Sequence, residues 1–414
     1  MRKIIIAGFW LFTIQLSIKA QIFRTQALSE RVQTLLVHSS ASWDADPIIG
    51  WDDGGQIEIN FDVLGLSTER YTYLITHCNA DWKPSQLVYS EYLSGLQNNY
   101  LDDYAHSFNT KMDYVNYRLF IPNEQVQLKL SGNYAVQILD EDATPVLNAC
   151  FSIVEPLADI EIKVSSVTDK GVNSQYQAVS FEIFYGNEVK SPLQDLKVYV
   201  RQNRRFDNEA ALLKPLNVQN GKAFYDHRPD LIFPAGNEYR AFEMITTHYN
   251  GLGVESVEYH APYYHTVLKP GAFRNNRYYS YNEDLNGRIY IRNLESDNPE
   301  TEADYELVHF YLPCDTPFPE NVYILSDAFH NLPDARSQMD YSPLDKAYIK
   351  TALLKEGYYN YLYVTGKDHF SPASTALIEG NYYETENEYR VLVYFRPMGE
   401  RYDRLIGVKS IQYR

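Results

Sequence analysis

Apolar and polar residues alternate along most of this chain, in short runs broken by Gly, Pro, Asn and Asp. Gln56 to Val63, Arg70 to Cys78, Val115 to Pro122, Asn133 to Leu139 and Asn148 to Val154 either alternate with a period of two or are rich in aromatic and β-branched side chains. That is the pattern of strands with one buried face, and it predicts a first β-sandwich. Between them, Leu87 to Leu96 is compatible with a short helix or a loop. Pro156 then interrupts the chain. Ile160 to Ser166, Ala178 to Tyr185, Leu196 to Gln202 and Glu238 to Thr246 make a second series, which ends at Tyr263-Tyr264-His265 before a turn at Lys269-Pro270-Gly271. Residues 288–292, 307–312, 321–326, 346–354, 358–364 and 389–396 make a third. Short strands at turn-punctuated intervals, few candidate helices and a length beyond one core predict an all-β protein of tandem immunoglobulin-like β-sandwich domains. The expected divisions are 21–155, 156–268 and 269–414.

The N-terminus breaks this pattern. Arg2 and Lys3 precede an apolar run from Ile4 to Leu16, and Ile18-Lys19-Ala20 offers a small residue for cleavage, so residues 1–20 read as an export signal and the mature chain as periplasmic, beginning near Gln21. No Cys follows the cut, which argues against a lipid anchor. No other segment approaches the ~20 apolar residues of a membrane span, so the mature chain is expected not to span a membrane. The formal charge of −17 becomes −20 once Arg2, Lys3 and Lys19 are removed. Such an excess of carboxylates disfavours nucleic acid and anionic lipid, which need clustered Lys and Arg, and favours solubility or a basic partner.

The 3 cysteines, Cys78, Cys150 and Cys314, cannot all pair within one chain and have no zinc-site spacing. A Cys78 to Cys150 bridge and buried free thiols both remain open. Tyrosine is abundant, at 37 residues. Its ring can pack on a sheet while its hydroxyl stays wet, which suits strand faces and protein interfaces alike.

Candidate chemistry is thin. His77 and Cys78 are adjacent in a strand and point to opposite faces, so this imidazole cannot activate this thiol. Asp44, Asp46, Asp52 and Asp53 flank Trp43 and Trp51 but follow no calcium-loop register; they read as solvated turn formers. Glu384, Glu386 and Glu388 would lie on one side of a strand, whereas glycoside hydrolysis needs carboxylates on opposite sides of the bond, so an exposed acidic strand or loop is expected. No zinc-protease helix, nucleophile elbow or phosphate loop is present. No catalytic, cofactor-binding or metal-binding residue is therefore assigned, and no enzymatic activity is expected.

Five pieces follow in order between the first strands: the run into His77-Cys78-Asn79-Ala80-Asp81-Trp82, the Ser90 to Gly95 segment, Ser107-Phe108-Asn109-Thr110, the stretch Tyr114 to Asn123 and Ser131-Gly132-Asn133-Tyr134. Together they resemble the N-terminal domain of the type IX secretion system plug proteins. The resemblance extends to the far end, through Glu379 to Tyr389, Val393-Tyr394-Phe395-Arg396 and Arg401 to Gly407. It implies a non-enzymatic periplasmic subunit, without cofactor, that seals the periplasmic mouth of the large outer-membrane translocon barrel when no cargo is bound. Within it, His77, Asn79, Trp82, Ser107, Asn109, Tyr117, Ser131, Asn133 and Tyr134 are the signature residues, expected to be structural. His77, Asn79 and Trp82 should pin the loop after their strand, with the indole packed and the polar groups bonded to backbone. A second likeness, of Asn321 to His330, Ala347 to Leu354 and Gly357 to Val364 to starch-binding sandwich domains, keeps a secreted carbohydrate-binding accessory protein as the alternative. A hydrolase with an unrecognised site is a third class, and would need a concave pocket with opposed titratable groups.

Overall fold

The computed structural model describes residues 22–367 and 371–414; the expected export signal and its cut before Gln21 lie outside them. Strand makes up 48% of the structure and helix 5%, so the chain is all-β, and among the described residues its three α-helices and two 3-10 helices are single turns.

In the first sandwich, Ile57, Ile59, Phe61 and Val63 point inward from the strand Ile57–Leu64, while Asp62 and Asn60 face the other way. This strand pairs with Val32–Ser39 and Tyr114–Ile121, and Tyr104–His106 closes the sheet as an edge. The facing sheet holds Thr72–Cys78, Gly132–Leu139 and Pro145–Val154. Ile75, Val136, Ile138 and Phe151 fill the space between the two sheets. Segment 87–96 becomes one helical turn, Tyr89–Tyr92, followed by the short strand Leu93–Gly95.

Strand pairing does not follow a linear division of the rest of the chain at 268/269. The final strands, Asn387–Phe395 and Arg404–Tyr413, pair with Leu196–Gln202 and build the second sandwich. Val391, Val393, Phe395 and Ile406 share a core there with Phe181, Val198, Tyr225 and Phe233. Conversely, Arg240–Met244, Val254–His260 and Tyr263–Leu268 join the third sheet, beside Gly357–Gly366 and Tyr305–Pro313. The chain thus enters the second sandwich, leaves it to build the third, and returns. One sheet also runs across a boundary, because Val154 of the first sandwich pairs with Leu405 of the second.

Candidate functional site

The two ends of the chain meet at the turn after the strand Thr72–Cys78. The backbone N–H of Trp82 donates to the Asn79 carbonyl at 2.9 Å, and Trp82 takes φ +60°, which swings its indole into a buried cluster with Phe23, Cys78, Ala135 and Cys150. The same turn aims the Ala80 N–H at the Asp403 carboxylate, 3.0 Å away, and the Asn79 side-chain oxygen accepts from the Arg396 guanidinium. Asp403 is wholly buried and is neutralised by Lys197 and Arg396, each at 2.8 Å.

The Ser131 to Tyr134 piece completes this seam. The Asn133 side-chain oxygen accepts from Ser152 at 2.7 Å and from the Tyr394 hydroxyl at 3.0 Å, while its amide donates to the Asn79 carbonyl at 3.1 Å. His77 donates from Nε2 to the Ser131 carbonyl at 3.1 Å and meets the rings of Tyr134 and Tyr402 edge-on. Its Nδ1 has no partner among the described residues. Burial pushes its pKa down to about 4, so it is neutral at physiological pH. Gly132 sits at φ +124°, and a Cβ there would stand 2.8 Å from both the Asp403 carbonyl oxygen and His77 Nε2, so the close approach of the two sandwiches depends on the missing side chain. Ser131 donates to Glu155 at 3.2 Å, and Glu155 pairs with Arg404 at 2.6 Å.

A second seam joins the other sheet to the third sandwich. The Asp62 carboxylate receives Lys355 Nζ and the Tyr305 hydroxyl, each at 2.6 Å, and the Asn116 amide at 2.9 Å. Lys355 also lies over the Tyr114 ring, and the Tyr114 hydroxyl donates to the Ala303 carbonyl at 2.8 Å. Burial lowers the Lys355 pKa against the pull of Asp62. Tyr117 belongs to the first core, stacked on Phe61. Ser107 accepts from the Tyr114 N–H at 3.1 Å and so closes a loop, in which Asn109 takes φ +60°.

Where the three sandwiches converge there is a cavity of about 140 Å³, with Trp43, Trp82, Phe206, Arg201 and His330 in its wall. Asp46 stands beside it, paired with Arg204 at 2.6 Å and with Arg390. Burial alone would raise the Asp46 carboxyl, but the two guanidiniums outweigh it and hold it below the usual range.

Several expectations change here. Asp46 is an inter-domain ion-pair partner rather than a solvated turn former, whereas Asp53 does cap a turn by accepting from Gly50 and Gly55 at 2.8 Å each. Of the alternating glutamates Glu384 stands exposed outside any strand, as read, and only Glu388 lies in one. It pairs with Arg288 and Arg390 instead of standing exposed. Cys78 and Cys150 are free thiols. Gly132–Leu139 runs between their strands, which separates them by about twice the ~4.8 Å strand spacing, too far for a bridge. Burial raises both thiols, Cys150 to about 12, which makes neither a ready nucleophile. Tyr323, Tyr359, Tyr361 and Tyr363, in the stretch that resembles starch-binding domains, are core residues and offer no sugar platform. Among the described residues no cluster of His, Cys, Asp and Glu could hold a metal, and no helix is long and apolar enough to cross a membrane.

Sequence reasoning missed the partners rather than the signature itself: Asp62, Lys355 and Asp403 lie outside the nine signature residues. Asp62 shares the polar phase of its strand with Glu58 and Asn60, so nothing local marked it as buried.

Comparison with known proteins adds three findings. Residues 32–155 match the family described as the type 9 secretion system plug protein 1st domain. A crystal structure of a hypothetical protein from Parabacteroides merdae superposes with a TM-score of 0.93 at 44% identity, over 95% of this chain and 100% of the other. No curated protein matches the chain.

Proposed function

The chain belongs to the type IX secretion system plug family, and from that premise we propose that it is a non-enzymatic periplasmic subunit that closes the periplasmic mouth of the large outer-membrane translocon barrel while no cargo occupies it. A pore wide enough for folded cargo leaks solutes unless a folded stopper fills it at rest, and that stopper must hold its shape without a ligand. The observation that carries the reading is the pair of buried seams. Ala80, from the turn that holds Asn79 and Trp82, and Arg396, from near the far end of the chain, meet at Asp403, and Asp62 with Lys355 ties the first sandwich to the third. Sandwiches locked on both sides move as one body, because parting the first from the third would strand Asp62 and Lys355, and parting it from the second would strip Asp403 and Arg396 of their bonds to Ala80 and Asn79. An acidic surface suits reversible docking to a basic partner without large apolar patches.

The export signal over residues 1–20 delivers the protein to the periplasm, where it is peripheral to the outer membrane through its partner. The test is extraction of outer membranes in mild detergent followed by capture of the tagged full-length protein. The large barrel should co-purify in stoichiometric amount. Recovery of the protein alone from cells that contain the barrel contradicts the reading.

A further inference from the structure

Most of the large apolar or aromatic residues in the signature pieces are buried, His77, Trp82, Tyr117 and Tyr134 among them, but Phe108 is 70% exposed. Its exposure is not the result of a loose loop. The Phe108 N–H donates to the Thr301 carbonyl at 2.8 Å, and the Lys111 and Met112 N–H groups donate to the Asp304 carboxylate at 2.6 and 3.1 Å. Ser107 exchanges hydrogen bonds with Tyr114 on the other side. The third sandwich therefore grips the backbone of this loop while the phenyl ring projects into solvent. Leu66, 68% exposed, stands on the neighbouring loop, joined to this one where the Gly65 N–H donates to the Asp113 carbonyl at 2.8 Å.

The strand just before Phe108, Tyr104–His106, is the edge of its sheet. Bonds from Arg118 N–H to the Asp103 carbonyl and from Ser107 N–H to the Tyr114 carbonyl bracket it. In antiparallel alternation the Ala105 backbone then faces the sheet, and the N–H and C=O groups of Tyr104 and His106 face outward. Among the described residues no hydrogen bond uses those outward groups. An open edge beside a rigid aromatic ring accepts an extended segment: backbone pairing sets its register and the ring gives it an anchor. Charge selects among such segments. Residues 294–304, which hold the Phe108 loop, carry Glu295, Asp297, Glu300, Glu302 and Asp304 with no Lys or Arg, and Asp102, Asp103 and Asp113 flank the edge strand; Lys111 and Arg118, the latter paired with Asp103 and Glu300 at 3.5 and 3.2 Å, offset only part of this charge.

We propose that this corner docks an extended, lysine- or arginine-bearing segment of the outer-membrane partner, which pairs along Tyr104–His106 and packs an apolar side chain on Phe108 and Leu66. The partner's identity rests on the plug reading; the corner, the strand geometry and the basic character rest on the residues above. The edge is only three residues long, so most of the affinity comes from the anchor and the charge, and binding weakens as salt is raised.

The experiment uses the full-length protein in cells that contain the barrel, with a photo-crosslinking amino acid at position 104 or 108, and at 259 as control, an exposed position on another open edge strand. Cross-links to the barrel are expected from 104 and 108 and not from 259. Phe108→Ala should weaken capture of the barrel tenfold or more with an unchanged unfolding temperature, and Phe108→Tyr should restore most of it. Full capture by Phe108→Ala, or cross-links from 259 alone, overturns this inference and leaves the plug reading standing. A cross-link between two copies of this chain replaces the partner with self-association and overturns it as well. Failure of the wild-type protein to capture the barrel contradicts the plug reading, and this inference with it.

Discussion

The turn around Trp82 and the loop around Phe108 are both signature pieces of one sandwich, yet they treat an aromatic residue in opposite ways. Trp82 is 4% exposed and closes a core, while Phe108 is 70% exposed on a backbone held just as firmly. The first region uses its hydrogen bonds to join sandwiches, through Asp403 and Arg396. The second uses them to hold a ring away from any core. An aromatic residue in these pieces can therefore close a core or stand clear of one, and burial tells the two apart where sequence does not.

Substitutions should separate the two regions by what they damage. The largest effect is expected at the second seam: Asp62→Ala strands the buried Lys355 ammonium and should cost about 3–5 kcal/mol in chemical denaturation. Adding Lys355→Met should recover much of that loss. Trp82→Ala empties the cluster at the first seam and should cost a similar amount, about 3–5 kcal/mol, without an effect on any catalytic readout. If Trp82→Ala left unfolding unchanged but abolished partner binding, the assignment of this turn to holding the molecule together would be wrong.

The two regions should also differ in pH dependence. Glu306 lies two residues beyond Asp304 and is pushed up to about 7, chiefly by burial. The folded state keeps its proton after the unfolded chain has released it, so this carboxyl costs stability as pH rises from the ordinary carboxylate range through 7. Glu306→Gln should gain about 2–3 kcal/mol over the wild type at pH 8, and almost nothing near pH 4. His77 acts with the opposite sign. Its folded pKa of about 4 lies below the unfolded value, so its contribution is lost as pH falls from 6.5 towards 4. Unfolding curves of Glu306→Gln and His77→Gln across pH 4 to 8 read both slopes. The smallest effect on stability belongs to Phe108→Ala, within about 0.5 kcal/mol, since the ring packs on no core.

Strand positions were legible where the residue pattern is regular: Leu196 to Gln202 stands in the structure as read, although nearly all of it is buried. Val32–Ser39 was not read, because Thr34 at φ +48° inserts a bulge between Gln33 and Leu36 and breaks the period of two. Pairing was less legible than position. Nothing local in Asn387–Phe395 says that its neighbour is Leu196–Gln202, and so the second and third sandwiches could not be separated by a single cut in the sequence. The same holds for Asp46, whose partners Arg204 and Arg390 are 158 and 344 residues away. In the candidate site the turn-forming residues could be recognised in sequence, but the charges they meet could not, since alternation fixes a side chain's face and not what covers it.

Whether the protein stops a pore is read from outer-membrane permeability to large antibiotics in three strains: one lacking this protein, one lacking the barrel, and one lacking both. Loss of this protein alone should make the cells sensitive, and sensitivity should return towards the wild-type level in the double deletion because no pore is left to stop. Equal leakage in the single and double deletions would contradict the plug reading.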